Sequence, residues 1–260
     1  KGENQIKEII NSAKFSVFFI DERQRIHIKD IGSIERIKKW AKKAGAEIYE
    51  DELTSQFRCN GSEGYIAWVD NVLDIRKTAN YDLQDIDYDF KVFDDPNELR
   101  DQIVELNQKE RRARLLAGYC WEWPKEGKSD PEYKDIQIDE FEMSWNLNDT
   151  DTYAIDEGSV NQVGCIHTSQ GLEFDYVGVI IGKDMRYENG KIITYYNERA
   201  TYDSSIRGIK KMAKSDPDKA NQIAAEIIKN TYRTLMTRGM KGCYIYCVDD
   251  NLREYFKQMM

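Results

Sequence analysis

Four short polar segments carry residue types that can bind a nucleotide or act on its phosphates. In the first, Gln24 follows an apolar run at residues 15–21, and its amide can sense a phosphate or orient a water molecule. In the second, Arg58 is the only charged residue between positions 53 and 61, and an arginine fork suits phosphate oxygens. For Gln24 alone a solvated turn is the favoured explanation. For Arg58 an ion pair at the start of the next helix explains the residue as well as a phosphate does.

The third segment, at residues 164–175, places polar side chains between two predicted strands. Gly171 would allow a phosphate to approach its backbone N–H closely, and Glu173 could hold a ribose hydroxyl. Thr168 and Gln170 add side-chain donors and acceptors. A crossover loop with an ordinary capping threonine is the alternative. The crowding of polar residues between two apolar strands favours nucleotide binding.

The fourth segment, at residues 230–242, ends a predicted helix just before a predicted strand. Arg238 lies at this junction, where it could act as an arginine finger on a nucleotide held by another domain. An arginine at the end of a helix also complements the helix dipole. The residues alone do not decide between these two roles.

Alternating helices and strands position these segments. Apolar, β-rich stretches predict longer strands at residues 15–21, 113–120, 160–165, 176–181 and 243–248. Shorter strands are predicted at residues 47–53 and 141–145. Helical patterns cover residues 5–13, the stretch from a cap at Ser33 to a stop at Gly45, and residues 64–73, 97–109, 216–238 and 250–259. Residues 80–95 are predicted to be irregular, 121–135 a loop, and 187–205 a hairpin. The pattern predicts an α/β fold with a parallel sheet covered by helices on both faces.

Composition narrows the classes of protein. A net charge of −9 over 260 residues argues against a protein that wraps nucleic acid over a broad surface. No apolar run is long enough to span a membrane, and no targeting signal precedes the first helix, so a cytoplasmic location is expected. Five scattered cysteines and two histidines predict buried, reduced thiols and no metal site. The missing initial methionine suggests a fragment of a longer chain.

Taken in chain order, the four segments resemble the motifs of superfamily 1 helicases of the UvrD/RecD kind, and most of all the bacterial Schlafen-like group of P-loop ATPases. F-F-I-D-E-R-Q-R-I resembles motif III, Q-F-R-C-N-G motif IV, H-T-S-Q-G-L-E-F motif V and Y-R-T-L-M-T-R-G motif VI. The run A-G-Y-C-W-E-W at residues 117–123 also resembles sequences of the Schlafen-like group. Each string alone matches by chance at times, but four in the right order make a strong signal.

The resemblance implies roles for individual residues. Gln24 matches the glutamine that senses the γ-phosphate, and Arg58 and Arg238 match the two arginines that reach the nucleotide as catalytic groups.

In motif V, the resemblance implies nucleotide contacts through Gly171 and Glu173, with Gln170 at a position where many members carry lysine. It implies contacts with nucleic acid through His167 or Thr168.

The resemblance also implies a RecA-like sheet that lacks its phosphate-binding half, because no G-x-x-x-x-G-K-[ST] loop occurs in the chain. Residues 1–30 are then the tail of a first RecA-like domain. Residues 31–260 are the second, with an insertion around 187–215. The full-length protein would bind ATP and Mg²⁺, and a P-loop domain of the same chain would complete the nucleotide site. The 260 residues alone are expected to bind ATP weakly or not at all and to be inactive.

The predicted function is the C-terminal half of a nucleic-acid-dependent ATPase that acts on single-stranded DNA or RNA. One alternative is a non-catalytic RecA-like scaffold that binds a partner protein or RNA. A nuclease is a third and weaker alternative, based on the alternating Asp85, Asp87 and Asp89. Such an acidic run is more often a solvated loop, and no lysine or histidine accompanies it.

Overall fold

We describe the protein from a computed structural model, which covers residues 4–30, 33–52, 58–124, 130–147 and 152–260 and, within them, all side chains except those of Arg23 and Arg58. The helices are α1 (Gln5–Ser12), α2 (Ile34–Lys43), α3 (Glu63–Val72), α4 (Pro96–Glu110), α5 (Ile166–Ser169), α6 (Ile209–Ser215), α7 (Pro217–Met236) and α8 (Asp250–Gln258). The strands are β1 (Asp89–Val92), β2 (Ala113–Ala117), β3 (Ile136–Ile138), β4 (Phe141–Met143), β5 (Val163–Gly164), β6 (Phe174–Ile181), β7 (Met185–Glu188), β8 (Lys191–Thr194) and β9 (Gly239–Cys247).

Five of these strands form a parallel sheet in the order β1-β9-β6-β2-β5. The two longest strands, β6 and β9, lie next to each other in its centre and pair from Phe174 with Gly239 to Ile181 with Cys247. Both are almost wholly buried, as expected for strands that are covered on both faces. The predicted α/β fold is confirmed, and the arrangement is consistent with a RecA-like fold.

Helices cover the two faces of the sheet. On one face, α3, α7 and α8 pack against alternate sheet residues such as Val177, Val179 and Ile245. On the other face, α4 and the β3–β4 hairpin pack against the intervening residues, such as Leu115 and Ile180. Because successive side chains of a strand point to opposite faces, each strand contributes residues to both apolar cores, one on each face of the sheet.

The sheet has two distinct edges because all five strands run in the same direction. We call the edge formed by their first residues the amino edge and the edge formed by their last residues the carboxyl edge. The 20 residues of α7 span about 30 Å and return from the carboxyl edge to the amino edge, where only Thr237 and Arg238 separate the helix from β9.

Two predicted strands are absent. Residues 15–21 form no strand, and Phe15 and Phe19 are 82% and 83% exposed. Residues 47–52 form no strand either, and Tyr49 is 86% exposed; Leu53 lies outside the described residues. A strand is stable only when a neighbour pairs with its backbone, and no described strand of the sheet pairs with either run.

The prediction that residues 80–95 are irregular is wrong near their C-terminal end, where β1 is the outermost strand of the sheet and pairs with β9. Phe90 pairs with Cys243 of β9, and its buried ring packs against Trp68 at a centroid distance of 4.7 Å. The many aspartate and tyrosine residues of this segment give no apolar run, so the sequence pattern did not predict a strand that buries only one face. Its partner lies more than 150 residues away in sequence.

Other expectations agree with the structure. The helices predicted at residues 97–109 and 216–238 are α4 and α7. The hairpin predicted at 187–205 is formed by β7 and β8, and it begins two residues earlier, at Met185, and ends at Thr194. All five cysteines are free, and four of them are buried. No helix in the described ranges is both long and apolar enough to cross a membrane.

Candidate functional site

Arg238 lies at the amino edge of the sheet, between the end of α7 and the start of β9. It is only 6% exposed. Its Nη1 donates a hydrogen bond to the carbonyl of Leu172 at 3.4 Å, and its own carbonyl accepts one from the backbone N–H of Phe174 at 3.0 Å. The structure thus brings the arginine of the fourth predicted segment into contact with the third.

The third segment reaches the amino edge as an open loop. Gly171 has a φ of +83°, in the left-handed region that favours glycine, and nothing lies within 4 Å of the place where a Cβ would stand. Gln170 and Glu173 are exposed on either side of it. A phosphate can therefore approach the backbone at Gly171, and both side chains are accessible to a ligand at this edge.

Thr168 lies in α5, before this loop, and is buried. Its Oγ1 accepts a hydrogen bond from the backbone N–H of Cys165 at 2.8 Å and donates one to the Cys165 carbonyl at 3.0 Å. These bonds make it a capping residue. The predicted contact of Thr168 with nucleic acid would require this hydroxyl to become accessible, and it stays a prediction.

His167 is exposed and lies toward the carboxyl edge. Its ring is 5.9 Å from that of Tyr119, which follows β2. Since Gly171 and Glu173 lie at the amino edge, the third segment runs from one edge of the sheet to the other.

Replacing Thr168 with valine should destabilise the chain by about 1–3 kcal/mol, because the buried N–H of Cys165 would lose its acceptor. Replacing it with serine keeps the hydroxyl and should cost much less. Denaturant unfolding of both variants measures the difference. An unchanged unfolding midpoint for Thr168→Val would show that the hydroxyl has no capping role.

The second predicted segment also lies near Arg238. Cys59 and Asn60 have φ values of +52° and +53°, and together with Arg58 they form a 3₁₀ turn before α3. The thiol of Cys59 is 3.7 Å from the carbonyl of Thr237, which directly precedes Arg238. The backbone of Arg58 is therefore close to the amino edge, but its side chain lies outside the described residues, and its role stays a prediction.

A buried ion pair fixes α3 against α7. Asp70 of α3 is fully buried and pairs with Arg233 of α7, and its second oxygen accepts a hydrogen bond from Arg76 at 2.7 Å. Tyr65 adds a hydrogen bond to the carbonyl of Met236 at 3.1 Å. These contacts position the turn at Arg58 relative to Arg238. The sequence signal for Asp70 is a lone carboxylate within the apolar helix pattern Y-I-A-W-V-D-N-V.

Gln24 is not brought to this edge by any described contact. It ends a 3₁₀ turn, and its amide donates a hydrogen bond to Asp21 at 2.8 Å. The carbonyl of the next residue, Arg25, accepts a hydrogen bond from Asn230 at 3.0 Å. Asn230 lies six residues, or about 9 Å along α7, before the helix ends at Met236. Gln24 instead lines a cavity of about 340 Å³ together with side chains of α1, α2 and the exposed apolar run.

The A-G-Y-C-W-E-W run lies at the carboxyl edge, directly after β2. The ring of Tyr119 is 5.0 Å from that of Trp145, and its hydroxyl donates to the sulfur of Cys165 at 3.2 Å. Burial raises the pKa of Tyr119 above its usual value. The run therefore forms a packed aromatic layer that supports His167.

The acidic run does not form a metal site in the described structure. The carboxylate of Asp89 accepts a hydrogen bond from the hydroxyl of Tyr244 at 2.5 Å and belongs to β1. Among the described residues, no group of three or more histidine, cysteine, aspartate or glutamate side chains could hold a metal ion. The described residues therefore add nothing to the nuclease alternative.

Comparison with known proteins identifies the family. Residues 1–249 match the family described as Schlafen group 3, DNA/RNA helicase domain. The uncharacterized protein YPL245W of Saccharomyces cerevisiae is 24% identical over 279 residues, which cover 97% of this chain and 59% of the yeast protein. The chain thus spans about three-fifths of the length of this relative. No solved structure matches the chain significantly.

The family match agrees with the helicase-like resemblance of the four motifs, whereas the predicted bacterial origin stays a prediction. With 249 of its 260 residues matched, the chain belongs to the Schlafen group 3 DNA/RNA helicase domain family.

Proposed function

We propose that the chain is the C-terminal RecA-like half of a nucleic-acid-dependent ATPase of the helicase type. The observation that supports this most directly is the contact of Arg238 with the loop of Gly171 and Glu173 at one edge of the sheet. In chain order these groups match motifs V and VI of UvrD/RecD-like helicases. ATP and Mg²⁺ would lie between this edge and a P-loop domain of the same protein.

Each group at the amino edge has a definite task in this proposal. Arg238 would stabilise the negative charge on the transferring phosphoryl group. Its hydrogen bond to Leu172 is long at 3.4 Å, so the guanidinium can exchange it for phosphate oxygens. The exposed backbone at Gly171 would accept a phosphate, and Glu173 would bind a ribose hydroxyl. The P-loop domain would supply the phosphate loop and the Mg²⁺ ligands.

The exposed apolar run supports the division into two RecA-like domains. Phe15, Val17 and Phe19 have no strand partner among the described residues, and all are exposed. A sheet in the first domain would pair and cover this run. Residues 1–30 would then belong to that domain and 31–260 to the second, with the insertion around 187–215. Gln24 would sense the γ-phosphate from the first domain.

ATP hydrolysis by the full-length protein tests the proposal. We expect single-stranded DNA or RNA to stimulate turnover, and we expect the 260-residue chain alone to be inactive because it lacks a phosphate loop. Phosphate release with each nucleic acid, measured for both proteins, gives the answer and the strand preference. A full-length protein that hydrolyses no ATP under any of these conditions would favour the non-catalytic scaffold.

A further inference from the structure

A basic segment lies on the surface of this acidic chain, within and just before α6. Arg207, Lys210, Lys211 and Lys214 are all exposed, and none of them forms an ion pair with a residue that the structure describes. Most arginines in the described ranges do have acidic partners. Four unneutralised cations within eight residues therefore create a local positive field in a chain whose net charge is −9.

The packing of α6 directs these cations outward. Ile209 is buried, and Met212 and Ala213 pack with it against Ala220 and Ala224 of α7. Because apolar side chains occupy the face of α6 that meets α7, its lysines project into solvent.

An exposed aromatic side chain precedes the basic segment. Tyr202 is 72% exposed, although the backbone on both sides of it is held in place. The N–H of Thr201 donates to the carboxylate of Glu122 at 2.7 Å, and the carboxylate of Asp203 binds the buried Arg199 at 2.5 Å. The ring of Tyr202 is thus presented to solvent from a fixed position.

We propose that Tyr202, Arg207, Lys210, Lys211 and Lys214, which we call the α6 basic surface, bind single-stranded nucleic acid. The lysines and the arginine bind phosphates, and a base stacks on Tyr202. This deepens the proposed function and rests on it, since it names the nucleic-acid contact of the same protein. The surface precedes α7 and Arg238 follows it, so the helix separates the two sites by about 30 Å.

The chemistry of the α6 basic surface favours nucleic acid over a membrane. A helix that inserts into a lipid surface exposes a large apolar face, but the apolar face of α6 is already covered by α7. Single strands offer both regularly spaced phosphates and open base faces, which match four exposed cations that follow one exposed ring in the chain.

Helix α2 offers a matched control. Lys39, Lys42 and Lys43 are also exposed and are not ion-paired within the described residues. Four acidic residues within 47–52 follow this helix, and one of them, Glu50, pairs with Lys38 at 2.5 Å. Removing three lysines from α2 changes the net charge of the chain as much as removing three from α6, but four acidic residues closely follow α2, whereas two, Asp216 and Asp218, closely follow α6.

Fluorescence anisotropy with a labelled oligonucleotide of about 20 thymidines or uridines, in the absence of ATP, tests the proposal. Combining Lys210→Gln, Lys211→Gln and Lys214→Gln should weaken binding at least about tenfold near 0.1 M salt and make the slope of log affinity against log salt shallower by about 2. The corresponding triple change in α2 should leave both values nearly unchanged. Tyr202→Ala should weaken binding about fivefold or more, and Tyr202→Phe should restore it.

The outcomes separate this proposal from the function on which it rests. Equal affinity for the unaltered chain and the α6 variant, or an equal loss in the α2 variant, would overturn the assignment of this surface while leaving the ATPase proposal in place. If the unaltered chain binds anionic phospholipid vesicles or polyglutamate but no oligonucleotide, the proposed partner is wrong. Thermal unfolding of each variant checks that the fold is retained, and the exposed positions predict no change.

Discussion

In the full-length protein, Arg238→Ala should lower kcat for ATP hydrolysis by about 10³-fold or more, the effect typical of losing an arginine that neutralises charge on the transferring phosphoryl group. The structure supports this expectation because Arg238 lies beside the Gly171 loop, at the edge that would face the P-loop domain. Arg238→Lys should recover only part of the activity, since an ammonium group lacks the planar fork that binds two oxygens.

The affinity for ATP separates catalysis from folding in this experiment. The side-chain hydrogen bond of Arg238 to the carbonyl of Leu172 is long, at 3.4 Å. We therefore expect both ATP binding, measured with a fluorescent analogue, and the unfolding temperature to change far less than kcat. If the affinity for ATP and the unfolding temperature fell markedly together with kcat, the arginine would support the fold of the amino edge.

Arg112 provides the control for this position. It lies at the same edge, directly before β2, and its half-exposed side chain pairs with Asp175 at 3.2 Å. Arg112→Ala removes an equal charge from the amino edge but no group of the four motifs, and Lys241, at 3.8 Å, still faces the largely buried carboxylate of Asp175. Turnover should be unchanged. If Arg112→Ala reduced kcat as strongly as Arg238→Ala, the effect would come from loss of positive charge anywhere at the amino edge and not from the Arg238 guanidinium in particular.

The main features of the fold could be predicted from the sequence because the C-terminal parts of its central strands, β6 and β9, are apolar and β-rich. Helix α7 begins at an Asp-Pro pair and ends shortly before a glycine, so its boundaries are marked locally. The starts of β6 and β9, at Phe174 and Gly239, lie before their apolar runs and were missed. The strand predictions at residues 15–21 and 47–52 were wrong because the presence of residues that favour strands, such as Phe15 and Tyr49, indicates only that a segment could pair. It does not indicate whether a partner strand is present.

The contacts around the candidate site were predictable in part. The resemblance implied that Arg238, Gly171 and Glu173 each contact the nucleotide, which stays a prediction, and the structure shows Arg238 bonded to the backbone of the loop at Leu172 and Phe174. The sequence pattern could not reveal that Asp70 pairs with Arg233, because the two residues are 163 positions apart and only the packing of α3 against α7 brings them together. Burial of charge at long range depends on tertiary packing, which no local pattern records.

Helix α7 links the features at the two edges of the sheet. Its first half packs against α6, its last turns carry Tyr232 and Arg233, and Arg238 follows its end. Tyr232 donates a hydrogen bond to Asp184 at 2.5 Å, and Arg233 pairs with Asp70 of α3. A displacement of α6 by nucleic acid would therefore act on a helix that buried polar contacts tie to Asp184, after β6, and to Asp70 of α3.

The second large effect concerns Arg199, whose side chain is completely buried with two carboxylates. It binds Asp184 at 3.1 Å and Asp203 at 2.5 Å, and both of these side chains are buried as well. Burial alone would lower the pKa of Arg199, but the carboxylates of Asp203 and Asp184 raise it above its usual value. The guanidinium therefore stays charged and holds the segment after the β7–β8 hairpin on the carboxyl edge of the sheet.

Arg199→Met should lower the free energy of unfolding by about 3–5 kcal/mol, because it leaves two buried carboxylates without a counter-charge. Combining it with Asp184→Asn and Asp203→Asn removes both charges and should recover much of the loss. Denaturant unfolding of the single and triple variants measures the recovery. If the triple variant is no more stable than Arg199→Met, the loss comes from packing of the arginine side chain. Recovery would instead show that charge balance fixes the hairpin segment, and with it Tyr202, in place.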